Sequence, residues 1–286
     1  MTMLYSLENF INSAADLFSK TEDTLYVLEN LYIERPSYPY RTTAVGSVPF
    51  PEWVCVDLMS PKNVTLVSVF NHNIQYLPTA GGVFRLKGCN DACLGESGAC
   101  DWGSQPVLAD LSTASRMIEH FRNTYGTLNS TFQCWLLEVA DPTGGDGHLE
   151  LGEWWLGQWS KFTTADCKVH LQPGRADGPA YFMGIQETHY GQDWHSYYSA
   201  TEHFSITLKN INDPDAVDEM HRFLTVVQRD YGGKFVFIPD DTRPFCYYVI
   251  VKNISDYANR LVYGDEVELR EWRLELKTLT EGIKLI

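Results

Sequence analysis

From Leu31 onward the chain is a succession of short apolar runs, each cut off by proline, glycine, asparagine or aspartate. That pattern constrains the fold more than any other feature. A run of five to eight apolar residues is too short for most helices but has the length of a strand. Pro36, Pro39, Pro49 and Pro51 break any helix and mark extended connections. The expected strands are Trp53–Leu58, Val64–Phe70, Val83–Lys87 and Phe132–Val139, with a return over His148–Gly157. Asp57–Asn63 reads as the end of one strand and the turn to the next, and Asp141–Gly147 as a hairpin turn. The near-continuous apolarity of Val64–Phe70 predicts a strand covered on both faces. An aromatic content of 13% fits a pleated sheet surface.

Three segments have helical spacing. Residues 1–30 carry Leu4, Leu7, Phe10, Ile11, Ala14, Ala15 and Phe18 at intervals that predict one short helix. Leu111–Tyr125 predicts a second, capped by Ser112, with Met117, Ile118 and Phe121 on one side. The clearest spans 214–229. Asp213 caps it, Pro214 takes its first position, Val217, Met220, Phe223, Leu224 and Val227 form its apolar stripe, and Gly232-Gly233 stops it. Beyond and before it lie the strands His203–Lys209, Lys234–Ile238, Phe245–Val251 and Val267–Leu276. In the last, the apolar positions change parity between Leu269 and Trp272, which predicts a β-bulge near Arg270–Glu271.

A length of 286 residues favours two domains. The expected division is an N-terminal segment 1–30, a β-sandwich 31–157 and a β-rich domain 158–286 carrying the helix 214–229. The net charge of −15 argues against nucleic-acid binding and against an anionic membrane surface. No apolar run reaches the roughly 20 residues of a membrane helix, and the start has no basic leader, so the expectation is a product of the cytosol with no membrane anchor.

The seven cysteines are an odd number, which in a cytosolic protein argues against an obligate disulfide framework. Cys55, Cys134 and Cys246 lie in apolar runs and read as small buried hydrophobes. Cys89, Cys93 and Cys100 occupy the Gly- and Cys-rich stretch Gly88–Pro106. Free surface thiols dispensable for folding are the preferred reading; a Cys93–Cys100 disulfide and a weak zinc site on the three thiolates, helped by Asp91, Asp101 or a histidine, are the alternatives. His189, His195 and His203 read as structural polar residues, since an extended chain separates the first two by roughly 20 Å. Asp141, Asp146 and Glu150 have the ingredients of a calcium loop, but a turn is preferred; so it is for Asp240-Asp241. Trp154-Trp155, Trp159, Trp194 and Tyr197-Tyr198 read as core or subunit-interface residues before sugar platforms. No hydrolase, phosphate-loop or dinucleotide motif occurs, so no catalytic residue and no cofactor are expected.

Several of these segments together resemble a discoidin-like (galactose-binding-like) jelly roll: Asn30–Thr42 (NLYIERPSYPYRT), Trp53–Leu58 (WVCVDL), Val64–Ile74 (VTLVSVFNHNI), Phe132–Asp141 and Leu149–Gly157. The second half, through Phe204–Leu208, the helix with Phe223-Leu224, Gly232–Asp241 and Trp272–Leu279, is similar to a minor or distal tail protein of long-tailed bacteriophages. The resemblance implies a mainly β, non-enzymatic structural component of the virion tail, assembled in the host cytoplasm. It implies a homo-oligomeric ring, most readily a hexamer, that contacts tube, hub and fibre proteins and lets DNA pass without specific binding. Its lumen would be lined by Asp and Glu of the second half. A carbohydrate-binding module for host-glycan attachment is the alternative, and a glycan hydrolase a third reading.

Overall fold

The computed structural model describes residues 4–33, 38–43, 51–74, 82–93, 99–111, 115–118, 121–140, 148–161, 166–171, 180–187, 193–201, 203–211, 222–223, 225–230, 232–239, 241, 246–252, 260–264, 267–278 and 281–282. As the short apolar runs predict, the fold is mainly β. Helix among the described residues is confined to a 3-10 turn at Leu28–Leu31 and to residues 222–223 and 225–230. The chain forms two compact units. One comprises Glu8–Trp159 with Thr242–Cys246; the other comprises Met1–Leu7, Ser160–Asp241 and Tyr247–Ile286.

In the Glu8–Trp159 unit two long antiparallel strands, Glu52–His72 and Phe121–Ala140, carry most of the others. Where residues 52–57 pair with 134–139, Asp16–Ser19 joins one edge, and Val83–Cys89 followed by Val107–Asp110 joins the other. Where residues 62–72 pair with 122–132, the flanking strands are Glu153–Gly157 and Ser115–Ile118. Alternate side chains of both halves enter one core. Val54, Val56, Phe84, Leu86, Leu137 and Val139 come from the first half, and Val67, Val69, Trp154 and Leu156 from the second. The halves therefore face each other as a β-sandwich, and each fully buried side chain contributes about 1.5–3 kcal/mol.

Asp57–Asn63 does not end a strand. Five residue steps from Asp57 to Lys62 stand opposite two from Cys134 to Phe132, so the strand bulges and resumes. Asp57 makes the bend by accepting a 2.7 Å hydrogen bond from the Met59 amide, and Met59 takes a positive φ of 62°. The chain continues because both of its halves find the same partner strand. The described residues of Leu111–Tyr125 are not helical; Ser115–Ile118 pairs antiparallel with the start of Phe121–Ala140, Ile118 opposite Phe121. Cross-strand pairing of Thr124 and Tyr125 with Val69 and Ser68 outweighs the local spacing. Residues 1–30 hold the strands Leu4–Ser6 and Asp16–Ser19 in place of a helix. The Asn9 and Asn12 side chains accept from the Ile11 and Ala14 amides, turns that compete with a helical ladder.

The other unit is built on an eight-stranded sheet. Its order is Ser160–Lys161, Leu4–Ser6, Lys234–Ile238, Tyr247–Val251, Val267–Thr278, His203–Ile211 and Asp166–Leu171, with Arg260–Gly264 also on Val267–Thr278. Ala180–Glu187, Asp193–Thr201 and Glu281–Gly282 form a separate three-stranded sheet. Of the expected helix 214–229, residues 214–221 and Leu224 lie outside the described residues; the rest is helical, to Asp230. Phe223 and Val227 are buried, and the Phe223 ring meets Tyr5 and Phe235 edge-on at 4.7 and 5.4 Å, so the helix packs on the sheet. Gly232 and Gly233, at φ of 57° and 85°, end it as predicted, with the Gly233 amide donating to the Val227 carbonyl. The irregularity expected near Arg270–Glu271 lies there, but the extra residue is on the neighbour: three steps from Leu208 to Ile211 stand opposite two from Trp272 to Arg270.

Candidate functional site

Residues directly opposite one another across strands point to the same face of a sheet. The registers Trp53 with Glu138, Cys55 with Leu136, Asp57 with Cys134, Arg85 with Glu138, Lys87 with Leu136 and Cys89 with Cys134 place these nine side chains on the sandwich face turned away from the main core. The stretch after Cys89 is fastened to that face by two disulfides, Cys89–Cys100 and Cys93–Cys134. The three loop cysteines are thus neither free thiols nor joined as Cys93–Cys100. Cys134, read as an ordinary buried residue, is the missing partner, and only the strand register brings it beside Cys89. Phe18, Trp53 and Trp102 pack around the sulfurs. Lys87 donates to the Trp102 carbonyl at 2.8 Å and pairs with Glu138 at 3.3 Å, while Arg85 pairs with Glu138 at 2.6 Å. Burial works to raise the Glu138 carboxyl, but the Arg85 hydrogen bond and the charges of Lys87 and Arg85 hold it below its ordinary range. Cys55 and Cys246 are buried, as expected, and neither is in a disulfide; burial, with Asp57 adding, pushes the Cys55 thiol well above its usual range.

A second polar cluster forms at the short pairing of Tyr40–Arg41 with Glu150–Leu151, Arg41 opposite Glu150. The Arg41 guanidinium pairs with Glu150 Oε1, which His148 Nε2 also meets at 3.0 Å. Asn73 joins the strands: its Oδ1 accepts from the Glu150 amide at 2.8 Å and its Nδ2 donates to the His148 carbonyl at 2.9 Å. Thr42 Oγ1 accepts from the Leu149 amide at 2.9 Å. The Arg41 guanidinium carbon stands 3.8 Å over the Tyr26 ring. Glu150 is buried, with 4% of its side chain exposed, whereas Arg41 and His148 keep 17% and 27%. An aromatic ring, a cation, a carboxylate, an imidazole and an amide thus converge in one partly open place, a set able to give and accept hydrogen bonds around a polar ligand.

Sequence reasoning did not assemble this cluster. Its members stand up to 124 residues apart, Tyr26 to Glu150, and the available signal was the polar ends of otherwise apolar runs, Arg41-Thr42 and Asn71–Asn73. Of the other sites weighed, Trp154 and Trp155 are core residues, 0% and 3% exposed. Trp159 is part-buried, and its amide donates to Thr65 Oγ1. His195 pairs with Ile185 in the three-stranded sheet and His203 with Lys277 in the larger one, so they do not share a sheet. Trp194 and Tyr197 stand opposite Gln186 and Met183. His189, Asp141–Gly147 and Asp240 lie outside the described residues.

No family model and no curated protein matches the chain. Among solved structures it is similar to the family 32 carbohydrate-binding module of Clostridium perfringens NanJ in complex with galactose, at 12% identity and a TM-score of 0.36, over 55% of this chain and 99% of that one. It is also similar to chitosan-binding module 1 of a chitosanase/glucanase from Paenibacillus sp. IK-5, at 11% identity and a TM-score of 0.38, over 52% and 98%. A Ruminococcus gnavus GH29 fucosidase in complex with fucose follows at 11% identity and a TM-score of 0.37, over 54% of this chain; only 27% of that enzyme is spanned.

Proposed function

We propose that the chain is a non-catalytic glycan-binding protein whose sugar site is built on Tyr26, Arg41, Asn73, His148 and Glu150. The observation that carries this reading is the convergence of a charged hydrogen-bonding network on an aromatic ring at a partly open end of two strands. A sugar presents hydroxyls, which need paired donors and acceptors, and an apolar C–H face, which suits an aromatic ring. The two disulfides fit a protein that works in an oxidising setting outside the cytosol. Nothing among the described residues or the comparisons speaks for the tail ring, so the alternative reading takes its place.

The test is a glycan array on the purified chain, followed by calorimetry with the best ligand. His148→Ala is the informative variant, because His148 is the most exposed member of the Arg41–Glu150–His148 set and its loss leaves the Arg41–Glu150 pair intact. The expected result is saturable binding that weakens at least about tenfold in the variant, a loss of about 1.4 kcal/mol, with unchanged thermal unfolding. An array without hits, or a variant that binds like the parent, overturns the assignment.

A further inference from the structure

Cys89 and Cys134 are direct cross-strand neighbours. Cys100 is joined to the first and Cys93 to the second, with Cα–Cα distances of 6.3 and 5.5 Å. All four belong to one buried cluster and are between 0% and 9% exposed. Opposed strand residues hold their Cβ atoms about 4.5–5.5 Å apart, so the two sulfur pairs stand side by side on the sheet. A zinc ion with Zn–S bonds of about 2.3 Å sets the sulfurs of a tetrahedron about 3.8 Å apart, so the four side chains would have to turn toward one another once the disulfides are broken. Carboxylates adjoin both pairs: Asp91 with Cys89 and Cys100, Asp57 with Cys93 and Cys134, the ligand atoms of each triad within 4.8 Å of one another. The loop spacing provides three thiols, one short of a closed site; the sheet provides the fourth.

We propose that in the reduced chain Cys89, Cys93, Cys100 and Cys134 bind one Zn²⁺ as a tetrathiolate, so that the loop stays fastened to the sheet whether the sulfurs are oxidised or reduced. The change between the two forms balances with a phosphine as reductant. Each phosphine breaks one S–S bond, takes the oxygen of one water and leaves as phosphine oxide. The two hydrogens of that water end on the two sulfurs. Zinc then displaces four thiol protons and is itself neither oxidised nor reduced.

The experiment uses the full chain, reduced with a phosphine under inert gas, freed of excess reductant and titrated first with Co²⁺ and then with Zn²⁺. One equivalent of Co²⁺ is expected to bring up the visible d–d bands and the thiolate charge-transfer absorption of a tetrahedral sulfur site, and one equivalent of Zn²⁺ to bleach them. The Cys93→Ser/Cys134→Ser double variant should lose at least tenfold in affinity, and Cys246→Ser none. Absence of a charge-transfer band at one equivalent overturns the proposal. So does loss of the band in Cys55→Ser with retention in the double variant. If reduction unfolds the chain, near-ultraviolet circular dichroism decides: recovery on adding Zn²⁺ supports the site, and no recovery counts against it.

Discussion

Glu138 lies on the disulfide-bearing face with 13% of its side chain exposed, between Arg85 and Lys87. A carboxylate in that position is stabilised only while it is charged. Because its folded value lies below the ordinary 4.5, the contribution is fully present above the unfolded value and is lost as pH falls through the lower, folded one. Arg85 is 35% exposed, so solvent screens part of the gain. Glu138→Gln is expected to lower unfolding stability by about 1–2 kcal/mol at neutral pH. The difference between parent and variant should shrink as pH drops below that carboxylate range. Urea titrations at neutral and acidic pH measure both, and a pH-independent difference would refute the charge account. At this scale the sequence was informative about burial and uninformative about partners. Cys55, Cys134 and Cys246 are buried as their apolar neighbours imply. That Cys134 meets Cys93, or that Arg41 meets Glu150, depends on register across 41 and 109 residues, which no local pattern encodes.

At the scale of elements, strands were legible wherever apolar residues ran together, and so was the helix ending at Gly232-Gly233. The errors lie where periodicity is ambiguous. Met117, Ile118 and Phe121 have the spacing of a helix face, yet the segment gains more as a hairpin extending a strand already paired with residues 52–72. Asp57–Asn63 has turn chemistry, and the chain does turn at Met59, but a bulge and a reversal use the same residues. Gly88 is the complementary case, a glycine whose need only the packing shows. It is the last residue but one of the strand Val83–Cys89, opposite Trp135, and a Cβ there would lie 2.3 and 2.7 Å from Phe132 ring atoms and 2.9 Å from Leu108. Gly88→Ala should therefore push Phe132 off the Trp135 ring it meets edge-on and cost about 1–3 kcal/mol. Denaturant unfolding followed by tryptophan fluorescence reads the cost, and a neutral outcome would mean that Phe132 moves freely.

At the scale of the molecule, the boundary drawn near residue 157 misses how the Ser160–Asp241 part is completed. Leu4–Ser6 lies between Ser160–Lys161 and Lys234–Ile238 in one sheet. Leu4 and Tyr5 are buried there, which at about 1.5–3 kcal/mol per side chain makes the strand a sizeable part of that unit's stability. Deleting residues 1–7 should open the Lys234–Ile238 edge. Hydrogen exchange is expected to show faster amide exchange in that segment, with 52–72 unaffected; unchanged protection would show that the strand is dispensable. A chain so arranged cannot finish folding in the order in which it is made. Roughly 230 residues separate Ser6 from its partner Val236. At about 5–20 residues per second, the first strand waits roughly 10–50 s on the ribosome before the neighbour it belongs beside exists. The sandwich of residues 8–159 has all its long strands well before then. Synthesis thus imposes a sequence of events, sandwich first and closure of the other sheet last, during which the apolar strand Leu4–Ser6 needs shelter from other chains.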